Sequence, residues 1–470
     1  MPDETNDAGA ARLALHLDAT TPLRVHVVGV GGAGMSAIAT VLAAMGHSVT
    51  GSDVKASAAL DRLRSQGVTV FVGHDPQQVG SADIVTASPA VAADNVELAE
   101  ARRRGVTVAS RSEILGEIAS LRRCIAVAGT HGKTTTASML SLVLVRTGLE
   151  PSFLIGADVN EIGTNGVWGK GEWLVVEADE SYGSFQRIDP EVAIVTNVEP
   201  DHLDHYGTVG ALEDAFDQFV GRASRACLTS ADDPVAAKIG RKRGAASVGR
   251  SADATYRITG VQTSRSAVAF DLVGPSGPMG EVRVPVPGLH NAANAAMAVV
   301  AATLAGVPAD QAVAALASFT GVPRRFEFRG EANGVTFVDD YAHLPTEVRA
   351  TLAAARSGRW SRIVAVFQPH RFTRIAALAG SFAGAFTDAD AVVVTDVYSA
   401  GERPTPGVSG RLVAKAVAAA DPGKPVIYAP SRADVRRQVA GILVPGDLCL
   451  TLGAGDLTTL PDELIADPSW

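Results

Sequence analysis

The sequence predicts an α/β fold organised as three domains, each a mainly parallel sheet covered by helices. Three observations carry this. The chain has 470 residues, more than a single hydrophobic core usually organises. β-branched runs alternate with Ala-rich helical segments from Arg24 to the C-terminal region, the pattern of βαβ units. A glycine-rich turn follows a strand at two places, Gly29 and Gly129, so the architecture starts afresh at least once.

The segment RVHVVGVGGAGMSAIATVLAAMGHSVTGSD, beginning at Arg24, reads as strand, glycine turn, helix and a second strand ending at Asp53. The alternation continues through DIVTA at 83–87 to an Arg-bearing helical stretch, placing a first domain at 1–122. CIAVAGTHGKTTTASMLSLVLVRTG then repeats strand, turn and helix, with further strands expected at 173–178 and 192–197 and Ala-rich helices after Gly288. The turn residues and charges of GVPRRFEFRG read as a linker, giving a second domain at 123–322 and a third at 323–470. In the third, strands are expected at 363–367, 391–395, 425–428 and 447–452.

Hydrophobic residues make up 47% and charged residues 19% of the chain, enough apolar surface for several cores. A formal charge of −9 excludes general nucleic-acid binding, which needs an excess of Lys and Arg. The short clusters Arg102, Arg103, Arg104 and Arg241, Lys242, Arg243 are read as solvated faces. Cys124, Cys227 and Cys449 are too far apart for a Cys-x-x-Cys site and odd in number, which suits a reducing compartment. The N-terminal stretch lacks the basic region and apolar core of a signal peptide. No run of about 18 apolar residues suggests a membrane span, so a cytoplasmic location is expected.

Gly29, Gly31 and Gly34 spell G-x-G-x-x-G after a strand, with Asp53 at the end of the next. Read alone, this favours a dinucleotide such as NAD. The physics admits any nucleotide diphosphate, because the glycines only let backbone approach a pyrophosphate at a helix N-terminus. Gly129, Thr130, His131, Gly132, Lys133, Thr134 and Thr135 form the stronger signal, an ATP phosphate loop. Backbone amides would cradle phosphates, the Lys133 ammonium would reach the β and γ oxygens, and the Thr134 hydroxyl would face Mg²⁺. Val127 replaces the first glycine of the strict Walker A form.

Glu177, Asp179 and Glu180 follow one strand, and Asn197, Asp201, His202, Asp204 and His205 follow the next. Carboxylates there suit Mg²⁺, and a solvated acidic loop is the competing reading. In the third domain Asp339, Asp340, Tyr341 and His343 follow one strand, and His370, Arg371 and Arg374 another. Arginines at such ends clamp carboxylates or phosphates, and interdomain salt bridges would use the same residues.

Together GVGGAGMS, AGTHGKTT, EADES, TNVEPDHLD, PGLHNAANA, PRRF, DDYAHLPTE, FQPHRFTR, DVYSAGE and GAGD resemble, in order, the motifs of the Mur ligase family over nearly the whole chain. The resemblance implies an N-terminal Rossmann-like domain that holds a UDP-linked substrate, a central P-loop ATPase domain, and a C-terminal Rossmann-like domain that brings the amino acid. It implies ATP-dependent joining of L-alanine to the carboxylate of UDP-N-acetylmuramic acid through an acyl phosphate, in cytoplasmic peptidoglycan precursor synthesis, by a monomer or weak homodimer. Lys133, His202 and Arg371 then carry catalysis, and Thr134, Glu177 and His202 hold Mg²⁺. ATP would also meet His290, Asn291, Asn294, Arg325 and Asp340. The UDP moiety would lie near Gly31, Gly32, Ala33, Gly34, Met35, Ser52, Asp53 and Ser88. Tyr341, His343, His370, Arg371 and Arg374 would contact alanine and the muramyl group.

Two positions depart from the family pattern. Leu344 stands where a second histidine is usual, and Tyr182 where an aspartate is usual. The segment 211–220 contains no lysine, in keeping with the alanine-adding member, whose sister ligases carry a carbamoylated lysine there. A nicotinamide-dependent dehydrogenase would leave the GTHGKTT loop and the EADES cluster unused. A non-enzymatic nucleotide-binding module, such as a UDP-sugar sensor or a catalytically dead paralogue, has only Leu344 and Tyr182 in its favour.

Overall fold

The structure is a computed structural model that describes residues 17, 18 and 20–470, with backbone alone for Tyr182 and Asp204. The rest of the N-terminal stretch read above lies outside the described residues. Three sheets account for the chain.

The first sheet is wholly parallel, in the order Thr69–Val72, Ser48–Asp53, Arg24–Val28, Ile84–Ala87, Thr107–Ser110. Chain direction through the sheet reverses between Arg24–Val28 and Ile84–Ala87. Such a switch point opens a crevice at the C-terminal strand ends, and the glycine turn stands there, ahead of helix Ala33–Ala44.

The second sheet has ten strands. Its centre is parallel and includes Arg123–Ala128, Trp173–Glu177 and Val192–Val195. Every residue of Val192–Val195 is buried, as expected of a strand covered on both faces. Helix Lys133–Arg146 packs on helix Leu289–Leu304 over one face. The edges are antiparallel. Tyr256–Thr263, Val268–Gly274 and Gly277–Val284 form a meander at one side, and Thr164–Val167 returns on Ser152–Val159 at the other. That hairpin docks the first domain: Asn165 Nδ2 donates to the Ala33 carbonyl at 2.7 Å, and a Cβ on Gly166 would lie 2.7 Å from the Ala37 carbonyl oxygen.

The third sheet runs Glu327–Ala332, Val335–Asp340, Asp447–Leu452, Arg362–Phe367, Ala391–Val394, Val426–Tyr428. It is parallel except for the first strand, which pairs antiparallel with the second. Asn333 and Gly334 turn between them with φ of 50° and 72°, the positive values that a tight hairpin turn requires.

The basic clusters do face solvent in part: Arg103 and Arg104 pair with Glu100, and Lys242 and Arg243 with Asp217. Among the described residues no helix is long and apolar enough to cross a membrane.

Just after EADES, the segment Ser181–Arg187 is anchored by Phe185, whose ring lies 5.0 Å from Phe216 and 5.1 Å from Phe219 on helix Val209–Gly221. All three rings are fully buried. Phe216→Ala removes one of the two rings that hold Phe185, and a loss of about 3–5 kcal/mol is expected, read as an earlier first transition in urea unfolding. An unchanged midpoint would show that the segment is held by other means.

Candidate active site

Loops from the C-terminal strand ends of all three sheets line one cleft of about 630 Å³. The first domain contributes Gly31, Ala33 and Arg62, the second Thr130 to Thr134 with Glu177, Asp179, Glu180 and His202, and the third Arg325, Tyr341, His343, Arg371 and Arg374, among others. Arg62 spans the first two domains through a 2.7 Å ion pair with Asp158.

The phosphate loop is shaped by two glycines. Gly129 has φ +137°, and a Cβ there would lie 2.0 Å from Thr196 Oγ1; Gly132 has φ +80°, with Asn294 Oδ1 2.5 Å from its Cβ position. The segment after Val192–Val195 clamps the loop. Asn197 Oδ1 accepts from the His131 amide at 2.8 Å, while Thr196 Oγ1 and Asn197 Nδ2 donate to the His131 carbonyl at 2.5 and 3.0 Å.

Lys133 opens helix Lys133–Arg146. Its ammonium donates to Glu180 Oε2 at 2.7 Å and to the carbonyls of Gly129 and Thr130 at 2.6 and 3.3 Å. Burial alone would lower its pKa, but Glu180 and Asp179 outweigh burial and hold it above the ordinary lysine value, so the side chain stays cationic. Thr134 Oγ1 donates to Glu177 Oε1 at 3.0 Å, and Glu177 Oε2 accepts the Gly156 amide at 2.6 Å. A hydroxyl beside a carboxylate is a hard-oxygen donor pair of the kind Mg²⁺ takes, its remaining positions filled by water and phosphate. His202 lines the same cleft, but its Nε2 lies 3.1 Å from Ser181 Oγ and 3.5 Å from Asp201 Oδ2. Among the described residues no group of three or more His, Cys, Asp and Glu side chains is arranged as a metal cage; Thr134 and Glu177 are the pair in direct contact, and His202 faces the same cleft.

In the third domain the rings of Tyr341, His343, His370 and Tyr398 follow one another at 5.4, 5.5 and 5.8 Å between centroids. Burial pushes His343 down to about 4 and His370 to about 3, helped by the positive charge of Arg374. Both imidazoles are therefore neutral at pH 7. Arg374 joins the domains, donating to Asp201 at 3.1 and 3.3 Å. Arg371 stands at φ +66° with its amide donating to the Tyr398 carbonyl at 2.9 Å, and its Nε is buried without a protein acceptor. Arg324 and Arg325 lie 4.9 and 5.0 Å from the Tyr341 ring centre.

Several residues expected at ligands lie elsewhere. Met35 is in the first-domain core, so only its backbone can meet a ligand. The Ser52 hydroxyl is fully buried and donates to Glu97 Oε2 at 2.5 Å. Asp53 braces the glycine turn, accepting the Gly31 amide at 2.9 Å, and the Ser88 hydroxyl accepts from the Ala90 amide at 3.3 Å. Asp340 spends its oxygens on the amides of Phe326 and Ala342 at 2.7 and 2.8 Å, and burial raises it to about 6. On helix Leu289–Leu304, Asn294 packs against Gly132 of the phosphate loop and donates to Asn291 Oδ1 at 3.3 Å. Gly32, Gly34, Thr135 and His290 also stand outside the cleft lining. Gly34 is instead covered by Arg111, whose Cζ lies 2.8 Å from its Cβ position.

Arg111, Glu199 and Glu347 were not anticipated. Glu347 had a local signal, since a Glu three residues into a helix that starts at a proline commonly caps it; Arg111 and Glu199 matter only through contacts far away in sequence. His131 lies between the two carboxylates, Nδ1 3.1 Å from Glu347 Oε1 and Nε2 3.3 Å from Glu199 Oε2. Burial opposes its charge, yet Glu347 and Glu199 raise it from 6.5 to about 9, while both carboxylates are held below their ordinary values.

A raised histidine pKa stabilises the fold fully below the unfolded value and ceases to do so as pH rises through the folded value. The melting temperature of the native chain is therefore expected to fall, relative to His131→Gln, between pH 6.5 and about 9. Parallel profiles for the two proteins across that window would refute the charge assignment.

Comparison with known proteins agrees with this arrangement. Residues 24–123 match the Mur ligase family catalytic domain model, 127–302 the Mur ligase middle domain, and 324–455 the Mur ligase glutamate ligase domain. The chain is 45% identical to the UDP-N-acetylmuramate–L-alanine ligase of Anaeromyxobacter sp. (strain Fw109-5), over 94% of this chain and 97% of that one. It is 46% identical to the enzyme of that name from Saccharopolyspora erythraea, over 94% and 93%. Among solved structures it is similar to UDP-N-acetylmuramate-alanine ligase from Thermotoga maritima, with a TM-score of 0.80 at 28% identity, covering 95% of this chain and 99% of that one. A murein peptide ligase from Psychrobacter arcticus gives a TM-score of 0.70 at 25% identity, covering 94% and 98%. With its phosphate loop, acidic strand ends and arginine-bearing third domain on one cleft, the chain belongs to the Mur ligase family.

Proposed function

We propose that this protein joins L-alanine to the carboxylate of UDP-N-acetylmuramic acid with conversion of ATP to ADP and phosphate, in cytoplasmic synthesis of peptidoglycan precursors. Residues 1–122 hold the UDP-linked substrate, 123–322 hold ATP, and 323–470 bring the amino acid. The observation that carries the reading is that Lys133 and Thr134 share a single cleft with Arg371, Arg374 and His343 and with the glycine turn at Gly31. Phosphate, carboxylate and amine chemistry can meet only in such a place. The relatives' name supports the choice of substrates.

Amide formation from a carboxylate in water is uphill, so the carboxylate must first be activated. One of its oxygens bonds to the γ-phosphorus of ATP as the bridging bond to ADP breaks, leaving an acyl phosphate. Lys133, kept cationic by its carboxylates, moves toward that developing charge. Thr134 and Glu177 would hold Mg²⁺, which would supply further positive charge beside the phosphates. The neutral alanine nitrogen then bonds to the acyl carbon, the bond from that carbon to the phosphate oxygen breaks, and the departing phosphate carries off the proton the nitrogen gives up. Arg371, with an unsatisfied buried Nε, suits a carboxylate; the neutral His343 and His370 can face an amine without repelling it. Leu344 lines the cleft beside His343 and is buried, where it can tune the choice of amino acid, whereas the Tyr182 side chain lies outside the described residues.

Phosphate release from ATP with Mg²⁺ is expected to require both UDP-N-acetylmuramic acid and L-alanine, and to fall by at least about 100-fold in Lys133→Ala. Release with another amino acid in place of L-alanine would move the specificity to Leu344. No release with any amino acid would defeat the reading.

A further inference from the structure

The chemistry above uses the backbone of the phosphate loop but gives the His131 ring no task. That ring is 16% exposed and lies between carboxylates of two domains, Glu199 of the second and Glu347 of the third. Thr346 completes the contact, donating to Glu199 Oε2 at 2.5 Å with its oxygen 3.3 Å from His131 Nε2. Two carboxylates brought together away from water repel unless a cation separates them. The ring supplies it.

Each end of this bridge is fixed. On the loop side, the amide and carbonyl of His131 are tied to Asn197 and Thr196. On the far side, Glu347 Oε2 accepts the amides of His343 and Leu344 at 2.9 and 3.1 Å, and the Arg325 guanidinium lies 3.8 Å from Oε1. The chain of contacts thus runs from the phosphate loop to the backbone of two residues that line the cleft from the third domain. Helix Pro345–Ser357 begins at this bridge. Just past its other end, Arg265 of the second domain stacks on Trp360 at 3.6 Å and donates to the Gly358 carbonyl at 3.1 Å. The helix is therefore held to the second domain at both ends, by one charged contact inside the cleft and one stacked contact outside it.

We propose that His131 and Glu347 are positioning residues forming a latch that sets the third domain against the phosphate loop and so brings His343 and Leu344 into register with the activated substrate. The catalytic consequence rests on the ligase reading; the domain placement rests on geometry alone. The test uses the full chain with His131→Gln, Glu347→Gln and the double variant. Glutamine at 347 keeps an oxygen for the amides of His343 and Leu344 while removing the charge and the acceptor that faces His131. Each single variant is expected to lower kcat about tenfold and raise the KM for L-alanine, and the double variant to fall no further, since one device is broken in all three. In small-angle scattering with a non-hydrolysable ATP analogue and Mg²⁺, the variants are expected to show a larger radius of gyration than the native chain. Losses that multiply in the double variant, a native kcat in either single variant, or superimposable scattering curves would each overturn the latch. If the native chain releases no phosphate with UDP-N-acetylmuramic acid and L-alanine, the ligase reading fails and scattering alone decides the latch.

Discussion

A buried ammonium organises this molecule. Lys133 is 13% exposed, and a charge so placed is tolerated only with full compensation. Glu180, only 2% exposed, is the direct partner, and it is itself held in place by the Tyr206 hydroxyl, which donates to the Glu180 carbonyl at 2.6 Å. Asp179 adds charge from the next position, and Arg111 of the first domain stands 4.0 Å from Asp179. The requirement to neutralise one lysine thereby reaches into a second domain. It also explains why three carboxylates crowd the end of Trp173–Glu177: one faces Lys133, one faces Arg111, and one faces the Thr134 hydroxyl. Their different neighbours give them different tasks.

Much of this was legible in sequence because the motifs that carry chemistry are local. A strand, a glycine turn and a helix specify the positions of Gly129, Lys133 and Thr134 without tertiary information, and strand ends in parallel sheets announce where functional loops converge. The antiparallel edges were less visible. The meander at Tyr256–Val284 follows two-residue alternation, and its Val268–Gly274 strand alternates buried and more exposed positions over its first five residues, but it lies between long α/β stretches whose stronger helical period dominates. The Glu327–Ala332 strand was read as linker although Asn333-Gly334, a strong hairpin signal, marks its turn.

The expected site residues whose polar atoms are already engaged by the protein share one feature. Ser52, Asp53 and Asp340 follow or end strands and carry polar groups, the same pattern as a ligand contact. A strand end also leaves backbone amides to satisfy. Asp340 satisfies two, Asp53 holds the glycine turn through Gly31, and Ser52 joins a network centred on the buried Glu97, which also meets the half-buried His74 at 3.0 Å. Meanwhile the Ser52 carbonyl accepts the amides of Gly29 and Val30 at 2.8 and 3.0 Å. These residues shape the binding turn from beneath. Polar chemistry at a strand end therefore identifies the neighbourhood of a site, and only the count of hydrogen bonds already spent separates ligand contact from scaffold.

Distribution of the site over three domains has a chemical logic. An acyl phosphate is destroyed by water, so its acceptor must be in place before it forms, and solvent must be kept out. A single rigid domain that buried such a cleft would also block entry of a nucleotide-linked sugar. The first and second domains share an apolar core beside the Arg62–Asp158 pair, whereas the third meets the second through charged contacts such as Arg374 with Asp201, which are strong when water is excluded and weak when it enters. An apolar interface of the same extent would hold the domains together whether or not substrate lay between them. The polar seam ties closure to desolvation of the cleft, the condition the intermediate needs.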